Sequence, residues 1–228
     1  MSGSHYLIMK NLFIVANWKS NKTGAETNHW FQEISNLNVQ VSNKQIIVCP
    51  SFAGLEIAHG LIKEKQLPIK LGAQDISAFD EGSHTGEVNG KQIVEFGSYV
   101  IIGHSERRQS LGESQELLDK KVGMANKYKL SIIYCVQDEN MPIPAGVSVI
   151  AYEPISAIGT DNPDSPENAN EVARKIKQNF SNVKYILYGG SVNGENVSSF
   201  TSQSDIDGVL VGGKSLNPQD FAAIISNA

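Results

Sequence analysis

Only two of the 228 residues are cysteine, Cys49 and Cys135, and neither stands in a CxxC or Cys/His spacing. That excludes a disulfide-stapled scaffold and a zinc-finger site, and it leaves both thiols expected free in a reducing cytoplasm. Long apolar runs are missing as well. The best of them, Tyr99-Val-Ile-Ile102, stops at Gly103-His104-Ser105, far short of the ~20 residues of a membrane span. Residues 1–8 lack the charged start and apolar stretch of a signal peptide. Because Met9 begins a more natural opening, 1–8 are expected to be a disordered extension or a cloning remnant ahead of one domain at 9–228. Positive charge is not in excess: 19 Lys and Arg against 24 Asp and Glu give −5. This rules out a broadly basic nucleic-acid binder, though a small local basic pocket remains open. There is no low-complexity linker, and no His/Asp/Glu cluster has metal-ligand spacing, so neither metal nor cofactor is expected.

What is present is a repeating pattern. With 40% hydrophobic residues the chain can bury a substantial core. Eight short runs rich in Val, Ile and Leu recur at 12–16, 45–49, 69–73, 99–102, 131–136, 147–152, 185–188 and 208–211. They are nearly continuous rather than alternating, as parallel strands covered on both faces should be. Most are followed by helical spacing. Trp30, Phe31, Ile34 and Leu37 share one face, as do Leu55, Ala58, Leu61 and Ile62. Leu117, Leu118, Val122 and Ala125 follow Ser114, a cap residue; Val172, Ile176 and Phe180 follow Ser165-Pro166; Phe221, Ile224 and Ile225 mark the last helix. Alternating strand and helix predicts an α/β fold with a parallel sheet, an eight-stranded (β/α)8 barrel with seven full outer helices.

One unit departs from the pattern. Between strands five and six lie only residues 137–146, and Pro142, Pro144 and Gly146 make a helix there improbable. Ten extended residues reach ~35 Å, enough to return along a strand of ~17 Å. An extended crossover is therefore expected at 137–146, with Met141, Ile143 and Val147 covering strand faces that a helix would shield. The chain is also short for this fold, which runs to ~250 residues.

Polar and glycine-rich residues cluster just after the strands, where such barrels place their active sites. They are Asn17-Trp18-Lys19-Ser20-Asn21, Gly103-His104-Ser105-Glu106-Arg107-Arg108, the stretch from Glu153 to Thr160, Gly189-Gly190-Ser191 and Gly212-Gly213. Each alone has an ordinary reading: a solvated lysine, a structural histidine, an exposed glutamate, a tight turn. Five such features in order, each at a strand's C-terminal end, suggest one reaction. Glycine turns after strands seven and eight can present backbone N–H groups to a phosphate, and Lys19 adds positive charge toward the same anion. Glu153 could abstract a proton while His104 polarises a carbonyl oxygen. Proton transfer next to a carbonyl of a small sugar phosphate fits that set.

The strings NWKSN, GAQDISAFDEGSHTGEV, YVIIGHSERR, AYEPISAIGT, YGGSV and DGVLVGGKSL closely resemble those of the triosephosphate isomerases, over residues 11 to 225 apart from the connection after strand five. The resemblance implies Glu153 as the base that shuttles a proton between carbons one and two, and His104 as a neutral electrophile. Lys19 would stabilise negative charge and Asn17 would orient both, with Ser105 and Glu106 supporting the site. It assigns Gly159, Ser191, Gly212 and Gly213 to the phosphate, and residues 154–164 to a mobile lid. Ile158 and Leu210 would press on the glutamate. Residues 75–87 resemble an arm inserted into a second subunit, with Thr85 near the partner subunit's Asn17 and Lys19, implying a homodimer. The departures are Ser156 in place of the usual Trp, Asp161-Asn162-Pro163 at the lid's end, Gln137-Asp138 after strand five, Lys214 where a small residue is usual, and the missing fifth helix. Two rivals remain: another phosphate-binding barrel enzyme, such as a different sugar-phosphate isomerase or a lyase making methylglyoxal, and a non-catalytic binding protein on the same scaffold.

Overall fold

A computed structural model describes residues 10–37, 39–157 and 162–228. Residues 1–9, which include the extension expected at 1–8, lie outside the described residues, as do Ile158 and Gly159 of the expected lid. Eight strands form a closed parallel barrel in chain order: β1 Leu12–Asn17, β2 Lys44–Cys49, β3 Ile69–Ala73, β4 Tyr99–Ile102, β5 Ser131–Val136, β6 Val149–Tyr152, β7 Tyr185–Tyr188 and β8 Gly208–Val211. Side chains alternate across each strand, and both faces are apolar. Phe13 and Val15 point into the barrel with Ile101, Ile133, Leu187 and Leu210. Their neighbours Ile14 and Ala16 point outward and pack with Trp30, Phe31 and Phe221 of the surrounding helices.

The barrel closes where β8 meets β1, with Phe13 opposite Gly208 and Ala16 opposite Val211. Gly208 has φ of +154°, and a Cβ there would lie 2.0 Å from the Phe13 carbonyl oxygen. Only glycine lets the two backbones approach this closely.

The outer helices are α1 Gly24–Asn36, α2 Phe52–Lys65, α3 Gly90–Ile93, α4 Ser105–Ser110, α5 Gln115–Lys127, α6 Pro166–Asn179, α7 Val197–Thr201 and α8 Pro218–Asn227. Thr23 and Glu26 form a reciprocal cap on α1. The Ser114 hydroxyl accepts from Leu117 N–H, and the Ser165 hydroxyl from Asn168 N–H, ahead of Pro166. Two connections fall short of the full helices expected: α3 has four residues and α7 five. After β3 the chain spends much of its length on residues 75–87 before α3, so little remains there for a return helix.

Between β5 and β6, residues 137–148 carry turns, bends and irregular backbone and no assigned helix, rather than the fully extended crossover expected. β6 begins at Val149 rather than 147, because Val147 N–H bonds back to the Pro144 carbonyl in a turn. The Val147 side chain is fully buried, and Met141 and Ile143 pack partly buried against the same core. The segment is tied to both flanking helices. Asn182, just past α6, donates to the Val147 carbonyl at 2.7 Å, and Lys175 pairs with Glu139 at 3.3 Å. Gly146 passes against the Asn126 side chain of α5.

Candidate active site

Parallel closure puts every strand's C-terminal end at one mouth of the barrel, and a cleft of about 820 Å³ opens there. Its lining includes Asn17, Lys19, His104, Glu153, Ser191, Leu210, Gly212 and Gly213, drawn from the ends of β1, β4, β6, β7 and β8. Residues from the two ends of the chain thus meet in one place, since Asn17 and Gly213 share the cleft.

At the floor, Glu153 follows β6 and is 1% exposed. Its Oε1 lies 3.0 Å from His104 Nε2, and its Oε2 accepts from Ser105 N–H at 2.9 Å. His104 caps α4: its Nδ1 accepts from Glu106 N–H at 3.3 Å. A ring nitrogen that accepts carries no proton, so the imidazole proton sits on Nε2, aimed at the carboxylate. His104 thus stands at the N-terminal end of α4, with the Glu106 backbone N–H on one ring nitrogen and the Glu153 carboxylate at the other. Leu210, 3% exposed, adds an apolar wall on β8.

Lys19 is positioned by backbone strain. It has φ of +53°, a left-handed conformation that a lysine rarely adopts. Two side chains brace it. Asn17 Oδ1 accepts from Lys19 N–H at 3.0 Å, and the Gln74 amide donates to the Lys19 carbonyl at 2.8 Å and to the Cys49 carbonyl at 2.9 Å. At the far end of its side chain, Lys19 Nζ is 2.6 Å from Glu106 Oε1. Its stem passes Gly212, where a Cβ would stand 3.3 Å from Lys19 Cε. Ser191, after β7, donates its hydroxyl to the Ala157 carbonyl at 3.0 Å, joining the glycine turn to the start of the 154–164 segment. At the other end of that segment, Asp164 N–H donates to the Tyr188 hydroxyl at 2.8 Å. Burial pushes the Tyr188 hydroxyl up to about 12, so it stays protonated at neutral pH.

Ser105 and Glu106, expected to support the site from beside the histidine, meet the Glu153 carboxylate and the Lys19 ammonium respectively. Thr85 is exposed on the 75–87 segment and does not line the cleft. Ile158 and Gly159 lie outside the described residues. Two contributors escaped the sequence reading. Gln74 was hidden inside a longer motif, one residue past β3, where its role depends on a strained carbonyl no pattern reveals. Cys135 was taken only as a free thiol, yet it faces the barrel interior against the Glu153 carboxylate, and burial followed by that negative charge raises its pKa well above the usual thiol range. Strand alternation on β5 could have shown that Cys135 points inward.

The closed barrel and the acid–base pair at its mouth define an enzyme of the (β/α)8-barrel isomerase class. Among the described residues no group of His, Cys, Asp and Glu is arranged to hold a metal ion. The family model described as triosephosphate isomerase matches residues 12–147 and 144–228, two blocks that meet inside the β5–β6 connection. A triosephosphate isomerase of Dictyoglomus turgidum is 39% identical over an alignment of 249 positions that covers 95% of this chain and 99% of that protein. One from Mesomycoplasma hyopneumoniae strain 232 is 36% identical, covering 94% and 98%, and one from Gloeothece citriformis is 38% identical, covering 96% and 99%. This chain belongs to the triosephosphate isomerase family.

Proposed function

We propose that this protein interconverts dihydroxyacetone phosphate and D-glyceraldehyde 3-phosphate in glycolysis and gluconeogenesis, through an enediol(ate), without metal or cofactor. The observation that carries the reading is the Glu153–His104 pair, 3.0 Å apart on the floor of a cleft whose wall holds Lys19, Ser191 and the Gly212-Gly213 turn. Glu153 takes a proton from the carbon beside the substrate carbonyl, breaking that C–H bond. The electron pair moves into the new C=C bond while the carbonyl π pair moves onto oxygen, where the His104 Nε2–H stabilises it. A proton then passes from the neighbouring hydroxyl to this oxygen, and Glu153 returns its own proton to the former carbonyl carbon as the second oxygen becomes the new carbonyl, which completes the isomerisation. Lys19 and Asn17 hold the oxyanion side, and Ser191, Gly212, Gly213 and Gly159 hold the phosphate. For the substrate to stand between base and electrophile, the Glu153 carboxylate must leave its contacts to His104 and Ser105.

Closure of residues 154–164 would exclude water and protect the enediolate from losing phosphate. Ile158 would then press on Glu153 beside Leu210. The chain is read as a cytoplasmic homodimer joined through 75–87, with Thr85 reaching the partner subunit. Phe79 supports this: it is 48% exposed, stacks on the exposed His84 ring at 4.3 Å, and sits on an arm braced from behind by Asp80 bonding to Lys127 and Tyr128. Among the described residues no helix is long and apolar enough to cross a membrane. Neither nucleic acid nor membrane is assigned as a partner.

The test is a coupled assay from glyceraldehyde 3-phosphate with wild type and Glu153→Gln, run in heavy water. The wild type should turn over and exchange solvent deuterium into product, and the variant should lose about a hundredfold or more of the rate. A wild type no faster than Glu153→Gln refutes the reading, and free methylglyoxal as the main product selects the lyase.

A further inference from the structure

Lys214 occupies the turn Gly213–Ser215 that follows β8, next to the two glycines assigned to the phosphate. Among the described residues, the cleft is lined by two cationic side chains, Lys19 and Lys214. They are held very differently. Lys19 Nζ is in hydrogen-bond contact with Glu106 at 2.6 Å, so much of its charge is already answered. Lys214 Nζ has Asp220 Oδ2 at 3.8 Å, too far for a hydrogen bond, with both side chains about half exposed. An ion pair of that length and exposure contributes little and is easily exchanged for a better partner.

We infer that Lys214 is a specificity-determining residue for the phosphoryl group. Its ammonium leaves Asp220 and turns to the dianion seated on the Gly212-Gly213 turn. The inference rests on the isomerase reading for the identity of the anion. The lysine's own stem is unbranched and its backbone is fixed by the buried Ser215 beside it, so the head can sweep the rim while the turn stays in place. Asp220 lies in the first turn of α8, and its carboxylate remains favourably placed near that helix N-terminus when the lysine departs. The exchange therefore leaves no charge stranded. Because the contact forms with ground state and transition state alike, it should act on KM and leave kcat unchanged.

The experiment compares wild type, Lys214→Ala, Lys214→Arg and Asp220→Asn. Three quantities are read: KM and kcat for glyceraldehyde 3-phosphate, the inhibition constant of inorganic phosphate, and calorimetric binding of inorganic phosphate, at low and high salt. Lys214→Ala should raise KM and both phosphate constants about two- to fivefold at low salt, with kcat unchanged, and the difference should shrink as salt rises. Lys214→Arg should restore tight phosphate binding, and Asp220→Asn should tighten it beyond wild type. Unphosphorylated glyceraldehyde should not distinguish Lys214→Ala from wild type. An active wild type whose KM and phosphate binding are unchanged in Lys214→Ala overturns the inference alone. A wild type that binds phosphate through Lys214 yet does not isomerise overturns the isomerase reading and leaves this one standing. A wild type that isomerises yet binds no inorganic phosphate likewise overturns this inference alone.

Discussion

Gln74→Leu tests how the site is held. The substitution keeps most of the side chain's volume and removes the donor amide, which bonds the Lys19 carbonyl at 2.8 Å and the Cys49 carbonyl at 2.9 Å. The Cys49 carbonyl keeps a second donor, Trp18 N–H at 3.1 Å, so the loss falls mainly on Lys19. One net hydrogen bond contributes about 0.5–1.5 kcal/mol, and a carbonyl stranded in a half-buried place costs about 1–3 kcal/mol. The total is about 1–3 kcal/mol, which for a chain of this size lowers the melting temperature by about 2–12 °C. Activity should fall further than a packing change explains. The left-handed Lys19 backbone stores about 1–3 kcal/mol of strain, and without its brace the residue relaxes and carries its ammonium away from the anion. The expected loss in kcat/KM is about 10- to 100-fold, or about 1.4–2.8 kcal/mol of transition-state stabilisation, read in the coupled isomerase assay beside a thermal melt. A variant that melts early but keeps wild-type kcat/KM would make Gln74 a packing residue only. One unchanged in both would show that the two bonds carry nothing.

Two further outcomes follow from buried and exposed titrating groups. Burial pushes the Cys49 thiol up to about 12 and drives Cys135 well above its usual range, so the native protein at pH 8 should show no fast thiol toward a disulfide reagent and two after denaturation; a rapidly reacting native thiol contradicts the placement of both. Hydrogen bonds, first from Lys127 and then from Tyr128, hold the Asp80 carboxyl down at about 2, below its ordinary 3.8. A depressed acid stabilises the fold above its ordinary pKa, and that stabilisation drains away as pH falls toward 2. Asp80→Asn should therefore be less stable than wild type at pH 7 and converge with it near pH 2 in pH-dependent melts; a gap that persists or widens in acid overturns the assignment.

The strands were plainly readable, because parallel barrel strands are apolar on both faces and leave continuous runs. Seven of the eight predicted runs coincide with the structure or extend by one residue; Val147 misled the other because a buried valine in a turn looks like a strand residue. Helices with an apolar stripe and a capping serine were readable too. The one-turn α3 and α7 were not, because a single turn leaves no periodicity to distinguish it from a loop. Site residues at strand ends, such as Lys19, His104 and Glu153, announce themselves by being polar where the pattern is apolar. Gln74 and Cys135 do not. Their part depends on a carbonyl's direction and on which way a strand residue faces, and both emerge only once the barrel is closed.

The missing fifth helix shows why the site and the outer layer can vary separately. The polar machinery stands at the ends of β1, β4, β6, β7 and β8, while β5 contributes only Cys135, from inside the barrel. What a fifth helix would do is cover the outward faces of β5 and β6, and that task needs apolar area, not helical backbone. Val147, fully buried, and Met141 and Ile143, partly buried, supply it from a chain of turns and loops. Non-helical backbone in turn leaves carbonyls that a helix would have satisfied internally, and α6 answers them from the side: Asn179 reaches the Glu139 carbonyl at 3.3 Å, and Asn182 beyond it reaches that of Val147 at 2.7 Å. The shortening is thus absorbed by neighbours on the barrel's flank, and no residue that touches the proposed substrate depends on the helix that is gone.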